Sequence, residues 1–234
     1  MTDPAALLID RSVAAARRSL DETSWVEVVG GFVRDPQAAL DEVLQGVRWE
    51  QGEVLRYDRY VPERRLGAAL HPSAHPLLHQ TDLHLQATHR RAFSGVTALQ
   101  YRTGADFQGL HSDREMRWLD DTLIAIVVLG VRRPFVLRRR GPWQQAVATK
   151  VPAGADADDV ILMPGEGDLL GMGGACQRDW LHGIPAAPTD GVRVSLTWRW
   201  TSKRGRPDTN PGYFDGFQFG DRARQPGYRT RPAP

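Results

Sequence analysis

VRVSLTWRW, residues 192–200, alternates apolar and polar side chains and is predicted as a β-strand. One face is apolar and should pack into the core; the opposite face carries Arg193, Ser195, Thr197 and Arg199. This polar face is either solvated or lines a pocket. Two arginines in a pocket would indicate an anionic ligand, because guanidinium groups bind carboxylates through paired hydrogen bonds.

Short strands also dominate the chain before this segment. Glycine and proline separate six further runs that favour β-structure, at residues 96–101, 123–129, 135–139, 160–163, 168–172 and 180–184. Seven short strands at this spacing are typical of a sandwich or jelly roll.

Helices are expected in the first third of the chain. Small apolar and charged residues at helical spacing predict a peripheral helix over residues 4–22, and residues 25–32 then form a short strand. Asp35 as N-cap and Pro36 in the first turn open a second helix that ends near residue 47. The fold class is therefore mainly β with flanking α, a β core buttressed by N-terminal helices.

Composition narrows the class of protein. The chain has 234 residues, a net charge of +2 and one cysteine, Cys176, which favours one domain in a reducing compartment. The apolar run at 123–130 is too short to cross a bilayer, and Asp3 stands where a secretory signal would be basic. We expect a cytoplasmic monomer with no membrane association. Arginine-rich clusters at 56–65, 132–140 and 203–231 either contact phosphates or form a solvated surface.

A metal site is indicated by His111-Ser-Asp113 together with His182. In an extended segment His111 and Asp113 share one face. Two histidines and one carboxylate leave coordination positions open, which suits non-haem Fe(II) and O2 chemistry. The His-x-Asp spacing alone is common at surface turns, but His182 in a predicted strand strengthens the interpretation.

Five further histidines lie between residues 71 and 91: His71, His75, His79, His84 and His89. The first three recur every four residues. Pro72 and Pro76 interrupt this repeat, and Asp82 is the only carboxylate among these histidines. A solvent-facing helix is therefore favoured over a second metal site.

Several motifs in order resemble the AlkB family of Fe(II)/2-oxoglutarate dioxygenases. They are Tyr101-Arg-Thr-Gly104, His111-Ser-Asp113-Arg-Glu115, Gly167-Asp-Leu-Leu-Gly-Met-Gly-Gly-Ala-Cys-Gln-Arg-Asp-Trp-Leu-His182 and Arg193-Val-Ser-Leu-Thr-Trp-Arg199. The resemblance covers about residues 54–200 and implies a double-stranded β-helix. It also implies a dioxygenase domain at 1–200, with N-terminal support at 1–53, a substrate lid at 54–95 and a jelly-roll core at 96–200. Residues 201–234 form a Pro/Gly/Arg-rich extension.

The resemblance also implies roles for individual residues. His111, Asp113 and His182 would be the iron ligands, and 2-oxoglutarate would be bound by Tyr101, Arg193, Ser195 and Arg199. Substrate contacts would come from Glu115, Tyr57, Tyr60 and Arg64. In such enzymes 2-oxoglutarate and O2 yield succinate and CO2, and a hydroxylated N-methyl group then leaves as formaldehyde.

Two departures from the family pattern leave the substrate open. The usual Asn-x-Tyr reads Leu99-Gln100-Tyr101, and the lid sequence at 64–70 lacks the aromatic that stacks a flipped base; Tyr57 or Tyr60 would have to replace it. The leading hypothesis is dealkylation of N-alkylated nucleobases in DNA or RNA. The alternatives are the same chemistry on a small metabolite, and a non-catalytic jelly roll that binds a metal or a partner.

Overall fold

The structure, a computed structural model, describes residues 7–56, 59–113, 116, 119–141 and 156–202. The helices are α1 (Pro36–Gly46), α2 (Pro76–His89) and the short α3 (Cys176–Asp179). The strands are β1 (Ala16–Ser19), β2 (Ser24–Val29), β3 (Glu50–Arg56), β4 (Arg59–Leu70), β5 (Val96–Tyr101), β6 (Gln108–His111), β7 (Thr122–Gly130), β8 (Phe135–Arg139), β9 (Val160–Leu162), β10 (Asp168–Gly174), β11 (Trp180–Ile184) and β12 (Arg193–Thr201).

These strands form two antiparallel sheets. The larger has the order β1-β2-β10-β7-β12-β5-β4-β3 and the smaller the order β6-β11-β8-β9. The predicted double-stranded β-helix is confirmed, and each of the seven predicted strands is present with ends within two residues of those expected. Among the described residues, no helix has both the length and the apolar character needed to cross a membrane.

Two apolar layers cover the faces of the large sheet. One lies between the sheets and includes Val26, Ile126 and Leu170; the other lies under α1 and α2 and includes Phe32 and Leu85. Strand β12 is buried on both faces from Arg193 to Trp198. Its polar face is therefore inside the molecule rather than solvated.

The N-terminal helix predicted over residues 4–22 is wrong for the described part of that segment. Residues 16–19 form β1, which pairs with β2 at the edge of the large sheet, and Ile9 makes a bridge to Val33. The pattern of small and charged residues fits an edge strand as well as a helix, and pairing with β2 decides between them. By contrast, α1 begins as predicted: Pro36 is its first residue, and Asp35 accepts a hydrogen bond from the Ala38 amide at 3.1 Å.

Helix capping explains two of the clustered histidines. The Nδ1 atom of His71 accepts from the Ser73 amide at 3.2 Å and caps a short 3-10 helix, Pro72–Ala74. The Nδ1 atom of His75 accepts from the Leu77 amide at 3.1 Å and caps α2. The expected solvent-facing helix is correct as a helix and wrong in its exposure, because three leucines of α2 are buried in the core: Leu77, Leu78 and Leu85. The segment 54–95, predicted as a lid, thus contributes β4 to the large sheet and α2 to its outer layer.

Candidate metal centre and anion site

The metal centre lies where the small sheet brings two distant segments together. His182 in β11 pairs directly with His111 in β6, and their ring centroids are 4.3 Å apart. Asp113 lies two residues after His111 in the chain. One donor atom from each of the three side chains lies within 4.8 Å of the other two, a separation that a single ion can bridge.

The backbone of β6 orients the His111 ring. Its Nδ1 lies 2.9 Å from the carbonyl oxygen of Gly109. A carbonyl only accepts, so this contact holds the ring proton on Nδ1. Nε2, which lies 3.5 Å from the Asp113 carboxylate, is then left with the lone pair that a metal ligand needs.

Asp113 has one partner for its carboxylate and another for its backbone. Its Oδ2 accepts from Nε of Arg199 at 2.6 Å, and its amide donates to the buried Gln177 side chain at 2.8 Å. Burial acts to raise the pKa of Asp113, but the neighbouring Arg199 charge lowers that pKa well below the usual value. The site therefore holds an anionic ligand at physiological pH.

His182 is neutral and buried. Burial, and then the neighbouring His111, lower its pKa to about 3, and the ring stacks on Phe135. Among the described residues its Nδ1 is buried with no hydrogen-bond partner. Two imidazoles and one carboxylate, with a buried ring nitrogen unpartnered among the described residues, fit a divalent iron ion.

Close approach of β6 to β11 depends on Gly183. A Cβ there would lie 2.9 Å from the Gln108 carbonyl oxygen, which is backbone and cannot swing away. Gly183→Ala is expected to lower the free energy of unfolding by about 1–3 kcal/mol through overpacking. It should also weaken Fe(II) binding, since β6 carries His111. Urea denaturation and anaerobic iron titration measure the two effects.

Gly109 in β6 is the matched control, because a Cβ there meets nothing within 4 Å. Gly109→Ala should leave both quantities nearly unchanged. Equal losses of stability and of Fe(II) affinity in the two variants would contradict the role of Gly183 in the close packing of β6 on β11.

A candidate anion site lies on β12 of the large sheet, whereas the metal centre lies on the small sheet. Arg193 is fully buried and pairs with Tyr101 on the face of the large sheet that looks toward the small sheet. Its Nη1 donates to the Pro164 carbonyl at 2.7 Å; its Nε and Nη2, like the Ser195 hydroxyl, have no partner among the described residues. Burial lowers the pKa of Arg193 to about 10. A buried guanidinium with unsatisfied donors fits a carboxylate ligand, such as the distal carboxylate of 2-oxoglutarate.

The other predicted site residues are placed differently. Arg199 bonds Asp113 and also donates to the Thr97 hydroxyl at 3.0 Å. Arg64 is exposed and Tyr60 is partly buried. Tyr57 and Glu115 lie outside the described residues, so their substrate contacts stay predictions.

Other polar residues of the site are not identified by sequence patterns. Gln177 fixes the backbone of Asp113. Because Leu66 pairs with Gln100, Arg65 lies on the same face as Tyr101. Arg65 is buried and ion-paired with Glu63 at 3.3 Å. Only the pairing register of β4 shows that Arg65, and not Arg64, faces inward.

Comparison with known proteins agrees with this geometry. A family model described as the 2OG-Fe(II) oxygenase superfamily matches residues 8–199. Human alpha-ketoglutarate-dependent dioxygenase alkB homolog 3 is 28% identical over 197 residues, covering 76% of this chain and 67% of that protein. The DNA oxidative demethylase ALKBH2 of Arabidopsis thaliana is 29% identical over 117 residues, covering 46% of this chain and 37% of that protein. The chain thus spans little more than a third of the length of this plant relative.

Solved structures show the same fold. HygX from Streptomyces hygroscopicus with nickel and 2-oxoglutarate bound superposes with a TM-score of 0.53 at 14% identity, covering 76% of this chain and 83% of that one. A prolyl hydroxylase from Trichoplax adhaerens gives a TM-score of 0.53 at 12% identity, covering 76% and 84%. At these identities the likeness establishes the architecture alone.

Proposed function

Since the chain belongs to the 2OG-Fe(II) oxygenase superfamily, we propose that it is an Fe(II)- and 2-oxoglutarate-dependent dioxygenase that oxidatively dealkylates N-alkylated nucleobases. The observation that carries this proposal is the convergence of His111, Asp113 and His182 on the small sheet, together with the buried Arg193 on the facing side of the large sheet. A metal position with open coordination and a separate seat for a carboxylate are the two elements that the chemistry requires.

The side chains of the site have separate roles in metal binding and in co-substrate binding. His111, Asp113 and His182 would hold Fe(II), which when bound supplies activation of O2 by oxidation of 2-oxoglutarate to succinate and CO2. Arg193 would bind the distal carboxylate and so orient the co-substrate. Three further side chains support the ligands: Arg199 keeps Asp113 ionised, Gln177 holds the Asp113 backbone, and Phe135 stacks on the His182 ring.

A nucleobase substrate is supported by the relatives. The plant relative is named a DNA oxidative demethylase, and it matches 46% of this chain. N-Alkyl dealkylation also needs nothing of the protein beyond placing the alkyl carbon at the open metal face. The hydroxylated product then breaks down to formaldehyde and the free base nitrogen.

A small metabolite is the second candidate, and the pair of Glu63 and Arg65 favours it. Both side chains are largely buried on the inner face of β4, and Glu63 Oε2 and Arg65 Nε have no hydrogen-bond partner among the described residues. Such a charged wall suits a polar substrate better than a stacked neutral base.

Salt dependence of binding separates the two substrates. With a methylated single-stranded oligonucleotide, a phosphate-binding surface predicts that log K falls against log salt with a slope of about −0.7 for each phosphate contacted. Formaldehyde should form from that strand in an iron-dependent reaction. A slope near zero, with formaldehyde released from small N-methylated compounds and not from the strand, would favour the metabolite.

A further inference from the structure

Arg133 is a buried cation to which the proposed reaction assigns no role. It lies between β7 and β8, inside the arginine-rich cluster at 132–140 that the sequence offers as a phosphate-contacting or solvated surface. The structure shows neither arrangement for this residue, because Arg133 is fully buried and is among the largest side chains with no exposure. A charge in such a place needs partners.

The partners of Arg133 are carbonyl groups from two connections. Its Nη1 donates to the Thr103 oxygen at 3.2 Å, and its Nη2 donates to the oxygens of Asp106 (2.7 Å) and Pro185 (2.6 Å). Thr103 and Asp106 follow β5, which ends in Tyr101, and Pro185 follows β11, which carries His182. The guanidinium therefore ties the Tyr101 end of one sheet to the ligand-bearing strand of the other.

Close packing of these two connections makes the tie rigid. The Gly104 amide donates to the Thr189 oxygen at 2.8 Å. A Cβ at Gly104 would lie 1.8 Å from the Ala187 oxygen, so no larger residue fits. Arg133 bonds residues on both sides of this contact, at positions 103 and 106 on one connection and 185 on the other.

The carbonyl contacts do not neutralise the charge of Arg133. Its guanidinium carbon lies 5.4 Å from the centroid of the Tyr101 ring, and Tyr101 pairs with Arg193. The two buried guanidiniums thus flank one tyrosine. Burial lowers the pKa of Arg193, and the charge of Arg133 lowers that pKa further.

The nearby carboxylates have arginine partners of their own. Asp106 accepts two hydrogen bonds from the Arg102 side chain at 2.8 and 2.9 Å, and Asp168 accepts one from Arg132 at 2.9 Å. The region around Tyr101 consequently carries an excess of positive charge in a low-dielectric interior. A bound dicarboxylate would relieve it.

We propose that Arg133 is a positioning residue of the 2-oxoglutarate site, which orients Tyr101 and adds a second positive charge for the distal carboxylate held by Arg193. This inference rests on the proposed function, because it takes 2-oxoglutarate as the co-substrate. Arg133 touches neither the metal ligands nor the reacting carbon in this arrangement, and acts through Tyr101 and through its field.

Two ligands separate the charge of Arg133 from its structural tie. 2-Oxopentanoate has the same 2-oxo acid end as 2-oxoglutarate and lacks the distal carboxylate. We define the distal preference as the ratio of the two dissociation constants, measured by calorimetry on the Fe(II)-loaded protein without oxygen. Arg133→Gln keeps an N–H donor for the carbonyls and removes the charge, so the distal preference should fall about tenfold or more. Arg133→Lys keeps the charge and should retain the preference within about threefold.

Each alternative outcome has a distinct reading. If Arg133 were only a tie, both ligands would weaken equally in Arg133→Gln and the distal preference would not change; that result overturns the proposal. Should Arg133→Gln fail to fold, loss of the preference in a folded Arg133→Lys overturns it instead, and retention supports it. Arg139→Gln, at an exposed position in the same cluster, is the control and should match the parent. A parent protein without distal preference would reject the co-substrate site itself, and this inference with it.

Discussion

Asp113→Ala is expected to lower the rate of iron-dependent succinate formation more than about 100-fold. Loss of a side chain that merely supports a metal ligand costs about 10- to 100-fold, and Asp113 is itself the anionic ligand. Removing it also leaves Arg199 facing two imidazoles without its carboxylate partner at 2.6 Å. Anaerobic Fe(II) titration should show weakened binding in parallel with lost turnover.

Asp113→Asn provides the shape-matched variant, because it keeps the volume of the side chain and removes its charge. Asp158, exposed in the loop before β9, is the matched control, and Asp158→Ala should retain parent activity. Turnover in Asp113→Asn or Asp113→Ala near that of Asp158→Ala would exclude the site as described.

Arg193→Met is expected to raise the 2-oxoglutarate concentration for half-maximal rate about 100-fold. Truncating one partner of a buried charged pair typically costs 2–5 kcal/mol in binding, and each ~1.4 kcal/mol is tenfold. Fe(II) affinity should change by less than about threefold, because Arg193 makes no contact with the three ligands. Titration of 2-oxoglutarate and of iron in the same preparation measures both.

Arg193→Met is expected to impair co-substrate binding without lowering the stability of the protein. Arg193 is buried with two nitrogen positions unpartnered among the described residues, so its desolvation is poorly offset without co-substrate. Arg193→Met should therefore melt at the same temperature as the parent protein or higher when 2-oxoglutarate is absent, and gain less when it is added. A variant that is less stable in both conditions, with an unchanged 2-oxoglutarate requirement, would assign Arg193 to the core and not to the co-substrate.

Much of the fold follows from local patterns. Strands such as β5, β8 and β11 have the bounds expected from runs of apolar and β-branched residues between glycines and prolines, and α1 begins at its Asp-Pro cap. Such features depend on neighbours in the chain, which a sequence displays directly. The alternation in β12 likewise places Arg193 and Ser195 on one face.

Features that depend on pairing between distant segments could not be predicted from the sequence. Residues 16–19 form strand β1 because they pair with the edge of β2. Which of Arg64 and Arg65 faces inward depends on the register of β4 against β5. The role of Gln177 appears only when α3 lies beside Asp113. Arg133 could not be told from its surface-exposed neighbours, since its carbonyl partners come from residues 103, 106 and 185.

The most direct test is an anomalous scattering map at the iron edge, from crystals grown without oxygen in the presence of Fe(II) and 2-oxoglutarate. We predict a single strong peak at bonding distance from His111, Asp113 and His182, with the distal carboxylate of 2-oxoglutarate on Arg193. Iron bound elsewhere, or a 2-oxoglutarate molecule whose distal carboxylate avoids Arg193, would contradict the proposed dioxygenase site.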